Sequence, residues 1–511
     1  MQLDLMLPWT AWTKQVDLEA LWTALTSKEA GLSVSAVIAA MLAIRYLTKK
    51  SVDPSIPGPK APSFLFGHAL ESKYGNAVYF REFFTPVVLL SDPKALQHIL
   101  AIKEGNYPSD RLIRKLARGN LLGETLVSSE GAEHDWHRKM INPHFSLSRV
   151  KSFVPNFEKY TTERFLPQLA KAAKSNESFD LNHALEKLTL GIIGAAAFSY
   201  DFHENPAVYD AFKLMFAPPS VATYLGLLYI PGYAYLPFPE VRRRRTGRIP
   251  LVKALMEVIE TKLASKNSPK DLLDLILPNT TPEEALAHTM SFMTAGHENS
   301  SSTLGWVVVE ISRRPDVVAK MRAECNKVLN KHGSIDSWNA KKELIYTNAV
   351  IQETLRLNTV VFTLLRRVAL ADDSIPMSDG SSIFIPKGTN IEIVSAALHR
   401  HPRYWVKPDE FNPERFIPDT PEWITDEKMR GGSSHNFHYL PFSFGSKGCI
   451  GQRFATTEMI VILALMITKF DLQVDTTRNL RPLFNGFTIQ PAELFVRVKA
   501  VDNAPLDGDA A

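Results

Sequence analysis

The residues best suited to chemistry lie in one glycine-rich segment near the C-terminus, Phe442-Ser-Phe-Gly445-Ser-Lys447-Gly-Cys449-Ile-Gly451. Its glycines permit backbone conformations that a Cβ would forbid, so the segment can lie close to a flat ligand. The helical pattern that follows would present unpaired amide N–H groups, which stabilise a thiolate and lower its pKa. A lone thiolate in this setting suits an axial bond to heme iron, whereas tetrahedral zinc needs three further ligands.

The segment resembles the heme-binding loop of the cytochrome P-450 family, Phe-x-x-Gly-x-Arg-x-Cys-x-Gly. It is similar at every fixed position except one, where Lys447 stands in place of arginine. The resemblance implies heme b, with Cys449 as the metal ligand and with Phe442, Lys447 and Gly451 around the cofactor. The alternative is an inert buried cysteine. With the motifs described next, the resemblance covers about residues 55–500.

A second group of residues could form a charged network. Glu353-Thr-Leu-Arg356 places an acid and a base three residues apart, on one helical face. Phe411-Asn-Pro-Glu-Arg415-Phe416 follows and precedes the cysteine segment, which is the order of the same motifs in the cytochrome P-450 family. The resemblance implies that Glu353, Arg356 and Arg415 form a structural ion network behind the heme.

The stretch Ala295-Gly296-His-Glu298-Asn299-Ser300 lies midway along a long predicted helix. It resembles the oxygen-binding stretch of the family, Ala-Gly-x-Glu-Thr-Thr, which implies that Ala295 and Gly296 face the heme and that Glu298 relays protons. Asn299 replaces the usual threonine; an amide can hold a water but lacks the hydroxyl that passes a proton. Ser300 could supply that hydroxyl. A plain kink in a buried helix is the alternative.

Four cationic residues are candidates for binding the heme propionates. His134 and Arg138 lie one helical turn apart, and the resemblance places them on the propionate-binding helix. Arg367 matches another propionate partner of the family. Lys447 offers a point charge in place of the planar fork of arginine, so its contact would be less directional. For each of them, a solvated surface charge is the alternative.

The resemblance also indicates which residues contact the substrate. Most of them are apolar, which favours an apolar small molecule. The predicted pocket residues are Val360, Val361, Phe362, Leu364, Phe487 and Thr488.

Composition limits the remaining possibilities. Apolar residues make up 45% and charged residues 22% of 511 residues, which is enough for a large globular core. The net charge of +4 is too small to indicate nucleic-acid binding. The two cysteines, Cys325 and Cys449, cannot form a disulfide framework, so a reducing compartment is expected. Cys325 is predicted to have a packing role.

An apolar run near the N-terminus predicts a membrane anchor. Residues 30–47 carry a single charge, Arg45, and would span about 27 Å as a helix. Lysines follow the run, so the positive-inside rule places the rest of the chain in the cytosol. The resemblance to the membrane-anchored members of the family implies that the anchor lies in the endoplasmic reticulum membrane. A buried helix of the catalytic domain is the alternative. The predicted division is a lumenal leader (1–29), a transmembrane helix (30–48), a proline-rich hinge (49–62), the catalytic domain (63–500) and a tail (501–511).

Patterning along the chain predicts a mainly α fold with small β-sheets. The resemblance implies the cytochrome P-450 fold, with heme between a long central helix and the cysteine loop. An uncharged aromatic stretch, 223–238, precedes Arg242–Arg245 and suits a surface that dips into a lipid interface. The alternative is an ordinary loop packed on the core, followed by a solvated arginine run. Helices are predicted over 150–171, 182–198, 249–265, 282–313 and 316–332, and strands within 77–92 and 382–394.

The function implied by the resemblance is that of a heme-thiolate monooxygenase, which inserts one oxygen atom into an apolar substrate. Its electrons would come from NADPH-cytochrome P-450 reductase, with cytochrome b5 as a second donor. Asn299 leaves open an isomerase or dehydratase that rearranges a peroxide or radical intermediate without a reductase. A non-catalytic heme or gas sensor is a third class. Neither the substrate nor the pathway follows from the sequence; secondary metabolism is the expected context.

Overall fold

The computed structural model describes residues 75–82, 85–202, 204–264, 271–432, 436–484 and 487–501. The predicted leader, transmembrane helix and hinge lie outside these residues, as does nearly all of the predicted tail. Within the described ranges, no helix is both long enough and apolar enough to cross a bilayer.

Helices dominate the described part of the chain, and several begin at a capping side chain. Asp110, Ser146 and Asp180 each accept hydrogen bonds from first-turn amides of the next helix, which satisfies donors that lack a partner within the helix. The described α-helices are α1 (Pro93–Gln97), α2 (Arg111–Leu121), α3 (Gly131–Ile141), α4 (Leu147–Tyr160), α5 (Leu166–Ser175), α6 (Leu181–Phe198), α7 (Pro206–Phe216), α8 (Val221–Tyr229), α9 (Pro239–Ala264), α10 (Leu272–Ile276), α11 (Pro282–Ile311), α12 (Pro315–His332), α13 (Trp338–Lys342), α14 (Ile345–Leu357), α15 (Ser395–His399), α16 (Pro421–Met429) and α17 (Gln452–Lys469).

The strands form small sheets, which confirms a mainly α fold with minor β structure. The largest sheet has the order β1-β2-β7-β4, in which β2 pairs parallel with β7 and the other pairs are antiparallel. The others have the orders β3-β11-β8, β5-β6 and β10-β9. The strands are β1 (Ala77–Glu82), β2 (Thr85–Leu90), β3 (Phe179–Asp180), β4 (Arg367–Val368), β5 (Asp373–Pro376), β6 (Ser382–Ile385), β7 (Asn390–Ile393), β8 (Phe470–Val474), β9 (Pro482–Phe484), β10 (Ile489–Pro491) and β11 (Phe495–Ala500).

Two predicted helices differ from the observed ones. The predicted helix 150–171 is interrupted by a π-helical turn, Thr161–Phe165, between α4 and α5. Pro167, at the start of α5, has no N–H to donate, so the regular ladder cannot continue through it. The predicted helix 249–265 begins earlier, because α9 tolerates Pro250 in its interior and incorporates the arginine run.

Two hydrophobic cores meet at the cysteine loop. The larger core joins α4, α6, α11, α12, α14 and α17, and Phe442 and Ile450 pack against it. The second core lies around β1, β2 and β7, and Phe444 packs against it. The loop therefore lies between the helical and the sheet-containing parts of the molecule.

Candidate active site

The cysteine loop is closed by its own backbone. The Cys449 amide donates to the Phe442 carbonyl at 2.8 Å, and the Gly448 amide donates to the Gly445 carbonyl at 3.0 Å. Gly445 has a φ of +77°, and a Cβ at this residue would lie 2.3 Å from the Leu100 carbonyl oxygen. Glycine is therefore required at this position both by the backbone conformation and by the close approach of residue 100.

The Cys449 thiol is accessible, whereas the other cysteine, Cys325, is buried. The protein mass around Cys449 desolvates the thiol and raises its pKa, while the Gly451 amide, Arg138 and the Gln452 amide act in the opposite direction. These amides and this cation suit a negative sulfur, and a bound metal would deprotonate the thiol. Cys325 is fully buried in the larger core, in agreement with a packing role, and burial raises its pKa to about 12.

The central helix α11 has one accessible position on a buried stretch. Its N-terminus is closed by a capping box between Thr281 and Glu284. Residues 300–311 are all buried, but Ala295 is exposed and its neighbours Glu298 and Asn299 are half-buried. An exposed alanine in the middle of a buried helix marks a helix face that borders a cavity.

Gly296 has a different environment from Ala295. A Cβ on Gly296 would lie 2.7 Å from Cγ1 of Ile193 on α6, so the glycine permits close packing of the two helices. The helix is continuous from Pro282 to Ile311. The helix therefore shows no break at Gly296, and the physical reason for this glycine is helix contact.

The side chains of Asn299 and Ser300 lie in different surroundings. Asn299 Nδ2 donates to the Ala295 carbonyl at 2.9 Å, while its buried Oδ1 has no hydrogen-bond partner among the described residues. Ser300 is buried beside Glu458 of α17. Ser300 therefore lies on the side of α11 that faces α17.

Two carboxyl groups, one on α11 and one on the neighbouring helix α17, have strongly raised pKa values. Burial, assisted by repulsion from Glu186, raises the pKa of Glu298 to about 8. Burial also raises the pKa of Glu458 to about 8, and Ser300 only partly opposes this rise. Both groups hold a proton near neutral pH, the state required of a proton donor. No motif in the sequence indicates Glu458, because its position beside Ser300 depends on the packing of α17 against α11.

The predicted propionate cations cluster beside the loop. Arg138 Nη1 donates to the Gly448 carbonyl at 2.7 Å. Lys447 Nζ donates to the Ser129 carbonyl at 2.7 Å and forms an ion pair with Glu130 at 3.2 Å. Arg367 is buried, and its Nε has no hydrogen-bond partner within the described ranges. This unsatisfied donor fits a carboxylate ligand.

His134 and one further cation complete this cluster. His134 is buried on α3 with its Nδ1 3.4 Å from the Asp135 carboxylate, and burial lowers its pKa. Arg114 of α2 lies close enough to Lys447 to lower the pKa of that lysine, although burial is the larger cause. The sequence gives no sign of Arg114 or Glu130, because no helical spacing relates these residues to the loop.

The predicted ion network is present and buried. Arg356 pairs with both carboxylate oxygens of Glu353, at 2.7 and 2.8 Å, and both residues are fully buried. Arg415 Nε lies 3.4 Å from the Glu353 carboxylate, and Arg415 Nη1 lies 2.8 Å from the Asp426 carboxylate. Asp426 is a further member of the network that the sequence did not indicate. Burial raises the pKa of Glu353, against the effect of Arg356.

His399 connects this network to Leu440, two residues before the cysteine loop. Its carbonyl accepts from Arg356 at 2.9 Å, and its Nδ1 lies 3.0 Å from the Thr359 hydroxyl. The Leu440 amide donates to His399 Nε2 at 2.7 Å. Because Nε2 must accept this bond, the imidazole is held in one neutral tautomer.

The six predicted pocket residues are not equally accessible. Val360 and Leu364 are buried in the two cores, and Thr488 is buried 3.4 Å from the Ser302 hydroxyl. Val361 and Phe362 remain half-buried, and the Phe362 ring packs edge-on against Phe484. Phe487 is exposed. The accessible residues of the predicted pocket, Val361, Phe362 and Phe487, are therefore all apolar.

The fold and the site together define a heme-thiolate protein. An accessible thiol in a glycine-rich loop, an accessible alanine on the central helix and an unsatisfied buried arginine fit an iron porphyrin with carboxylate side chains. In a comparison with known families, the sequence matches the cytochrome P450 family over residues 58–498. The chain belongs to this family, whose members are monooxygenases, and its cofactor is heme with the iron bound through a cysteine thiolate.

Individual relatives agree with this assignment. The chain is 27% identical to cytochrome P450 3A11 of Mus musculus over 472 residues, covering 85% of this chain and 90% of that protein. It is 29% identical to cytochrome P450 monooxygenase 91 of Postia placenta over 493 residues, covering 82% and 88% respectively. The crystal structure of the cytochrome P450DA heme domain has a similar fold, with a TM-score of 0.72 and 22% identity, covering 88% of this chain and 99% of that one.

Proposed function

We propose that the protein inserts one oxygen atom from O2 into an apolar small molecule, by hydroxylation or epoxidation. Electrons would come singly from an NADPH-dependent reductase, with cytochrome b5 as an additional donor. The observation that carries this proposal is the accessible Cys449 thiol together with the accessible Ala295 of α11, in a site with half-buried Val361 and Phe362. When bound, heme supplies the iron that activates oxygen.

The side chains of the site have distinct tasks in this proposal. Glu298 supplies protons, since its raised pKa keeps it protonated near neutral pH. Asn299 keeps its Nδ2 on the Ala295 carbonyl, and its Oδ1 can accept a hydrogen bond from a water molecule. Arg138, Arg367, His134 and Lys447 would hold the propionates, and Val361 and Phe362 would exclude water around an apolar substrate.

We further propose that the protein is a single-pass protein of the endoplasmic reticulum membrane with a cytosolic catalytic domain. The apolar run 30–48 supports an anchor, and eukaryotic relatives support a membrane setting. Ile230, Tyr235 and Phe238 are 54%, 62% and 43% exposed next to the arginines of α9, which suits contact with lipid. Secondary metabolism is the proposed context.

The second candidate is an isomerase or dehydratase on the same scaffold, and Asn299 is the observation that favours it. Asn299 has no hydroxyl for proton transfer, and Ser300 faces Glu458 instead. Such an enzyme rearranges its substrate without external electrons. The two candidates therefore differ in their requirement for NADPH.

Expression in membranes that contain a matched reductase tests the proposal. We expect a product one oxygen atom heavier than its precursor, formed only with NADPH, and a carbon monoxide difference band typical of thiolate-ligated heme. Cys449→Ala should lose both, whereas Cys325→Ala is the matched control and should keep both. Conversion that proceeds equally without NADPH and reductase would contradict the monooxygenase proposal and favour the isomerase.

A further inference from the structure

The cysteine loop rests on a separate segment of the chain, residues 98–106, which we call the platform. The platform consists of a π-helical turn, His98–Ile102, and a 3₁₀ turn, Glu104–Asn106. The Leu100 carbonyl approaches Gly445 so closely that a Cβ there would lie 2.3 Å from it. The platform and the loop are therefore packed backbone to backbone.

Glu104 forms the polar contact between the platform and the loop. Its Oε1 accepts a hydrogen bond from the Ser446 amide at 3.1 Å and another from the Ser446 hydroxyl. Ser446 lies three residues before the iron ligand Cys449. Hydrogen bonds to a carboxylate are stronger than those between neutral groups. Glu104 therefore restrains the loop at Ser446, close to Cys449.

The charge of Glu104 also acts on the propionate cluster. Burial lowers the pKa of Arg138 and of Arg367, and the negative charge of Glu104 opposes that lowering in both. A carboxylate that influences both arginines lies within electrostatic range of the cofactor site.

The platform itself is fixed by a buried carboxylate on β5. Asp373 receives His98 Nε2 at 2.8 Å, Lys103 Nζ at 2.6 Å and the Tyr107 hydroxyl at 2.7 Å. Against the effect of burial, these donors lower the pKa of Asp373 to about 2. All three donors come from the platform or the residue after it, so Glu104 is attached to a rigid support.

We propose that Glu104 is a positioning residue of the heme site, which holds the cysteine loop against the platform and lowers the reduction potential of the iron by its charge. The inference rests on the proposed heme-thiolate function. A negative charge close to the iron stabilises the oxidised state, and hydrogen bonding around the ligand loop keeps the sulfur in place.

The test compares Glu104→Gln and Glu104→Ala in the heme-loaded protein, with the exposed Glu177→Gln as a charge-matched control. Both Glu104 variants should have a more positive reduction potential. Of the two Glu104 variants, only Glu104→Ala should release heme faster than the wild type, by about three- to tenfold, because glutamine keeps an oxygen that accepts from Ser446. Ser446→Ala removes one of the two donors and should release heme at an intermediate rate.

Two results would overturn this inference: wild-type potential and heme release in Glu104→Ala, or equally fast heme release in the glutamine and alanine variants. Apparent loss of folding in Glu104→Ala is checked by circular dichroism, and the Ser446→Ala and Glu104→Gln variants then decide the outcome. A wild-type protein without the carbon monoxide band would instead refute the proposed function, so the two failures are distinguishable.

Discussion

Individual carboxyl groups around α11 and the loop have opposite protonation states because their surroundings differ. Burial disfavours the charged forms of Glu298 and Glu458, and the negative charge of Glu186 adds to this effect at Glu298. Asp373 is surrounded by three donors and stays charged. The protonation state of each buried carboxyl therefore depends on how many hydrogen-bond donors surround it. Glu458 meets few donors and stays protonated, whereas Asp373 meets three and stays charged.

The raised pKa of Glu458 predicts how stability depends on pH. The folded protein keeps this proton up to a pKa of about 8, whereas the unfolded chain releases it near the ordinary value of 4.5. Folding therefore binds a proton between these values, and stability falls as the pH rises from 4.5 to 8. Glu458→Gln should remove this contribution and raise the free energy of unfolding at pH 8 by about 1–3 kcal/mol.

The measurement is thermal unfolding of the heme-loaded protein at several pH values between 5 and 8. Asp475→Asn, at a surface position outside α17, is the matched control and should keep the wild-type slope in this range. An unchanged slope in Glu458→Gln would contradict the assignment of a buried, neutral carboxyl.

At the level of elements, the site depends on how closely α11 approaches α6. The two helices contact where Gly296 meets Ile193, and Thr189 of α6 donates to the His297 carbonyl at 3.2 Å. This contact fixes the depth of the Ala295 face relative to the loop. The distance between α6 and α11 therefore helps to determine the shape of the cavity.

Gly296→Ala should separate these helices. The added methyl group would lie 2.7 Å from Ile193 Cγ1, so we expect the free energy of unfolding to fall by about 1–3 kcal/mol. Urea denaturation measures the loss, and Ile193→Ala combined with Gly296→Ala should cost less than the sum of the two changes. Gly119→Ala, with open space at its Cβ, is the control and should not destabilise.

At the level of the whole molecule, the two cores converge on the cysteine loop. Phe442 packs on the helical core and Phe444 on the second core, so the ligand loop is held from both sides. Both packing contacts are made by residues of the described ranges, which begin at residue 75. Heme binding should therefore be separable from membrane attachment.

Deleting residues 1–48 tests this separation. The truncated protein should keep the carbon monoxide band and should shift from the membrane pellet to the supernatant at high salt. Salt removes residual attraction between the arginines of α9 and anionic lipids. Equal sedimentation of the full-length and truncated proteins in that buffer would contradict an anchor at 30–48.

The sequence by itself determined the class of protein, the iron ligand and the pairing of Glu353 with Arg356. These depend on short spacings: a loop of ten residues, or an i,i+3 pair that any helix brings together. Only the tertiary structure decided that Ser300 faces Glu458, that Lys447 pairs with Glu130 and that Glu104 holds Ser446. The partners in these contacts are separated by 150 or more residues, so only the packing of whole elements brings them together.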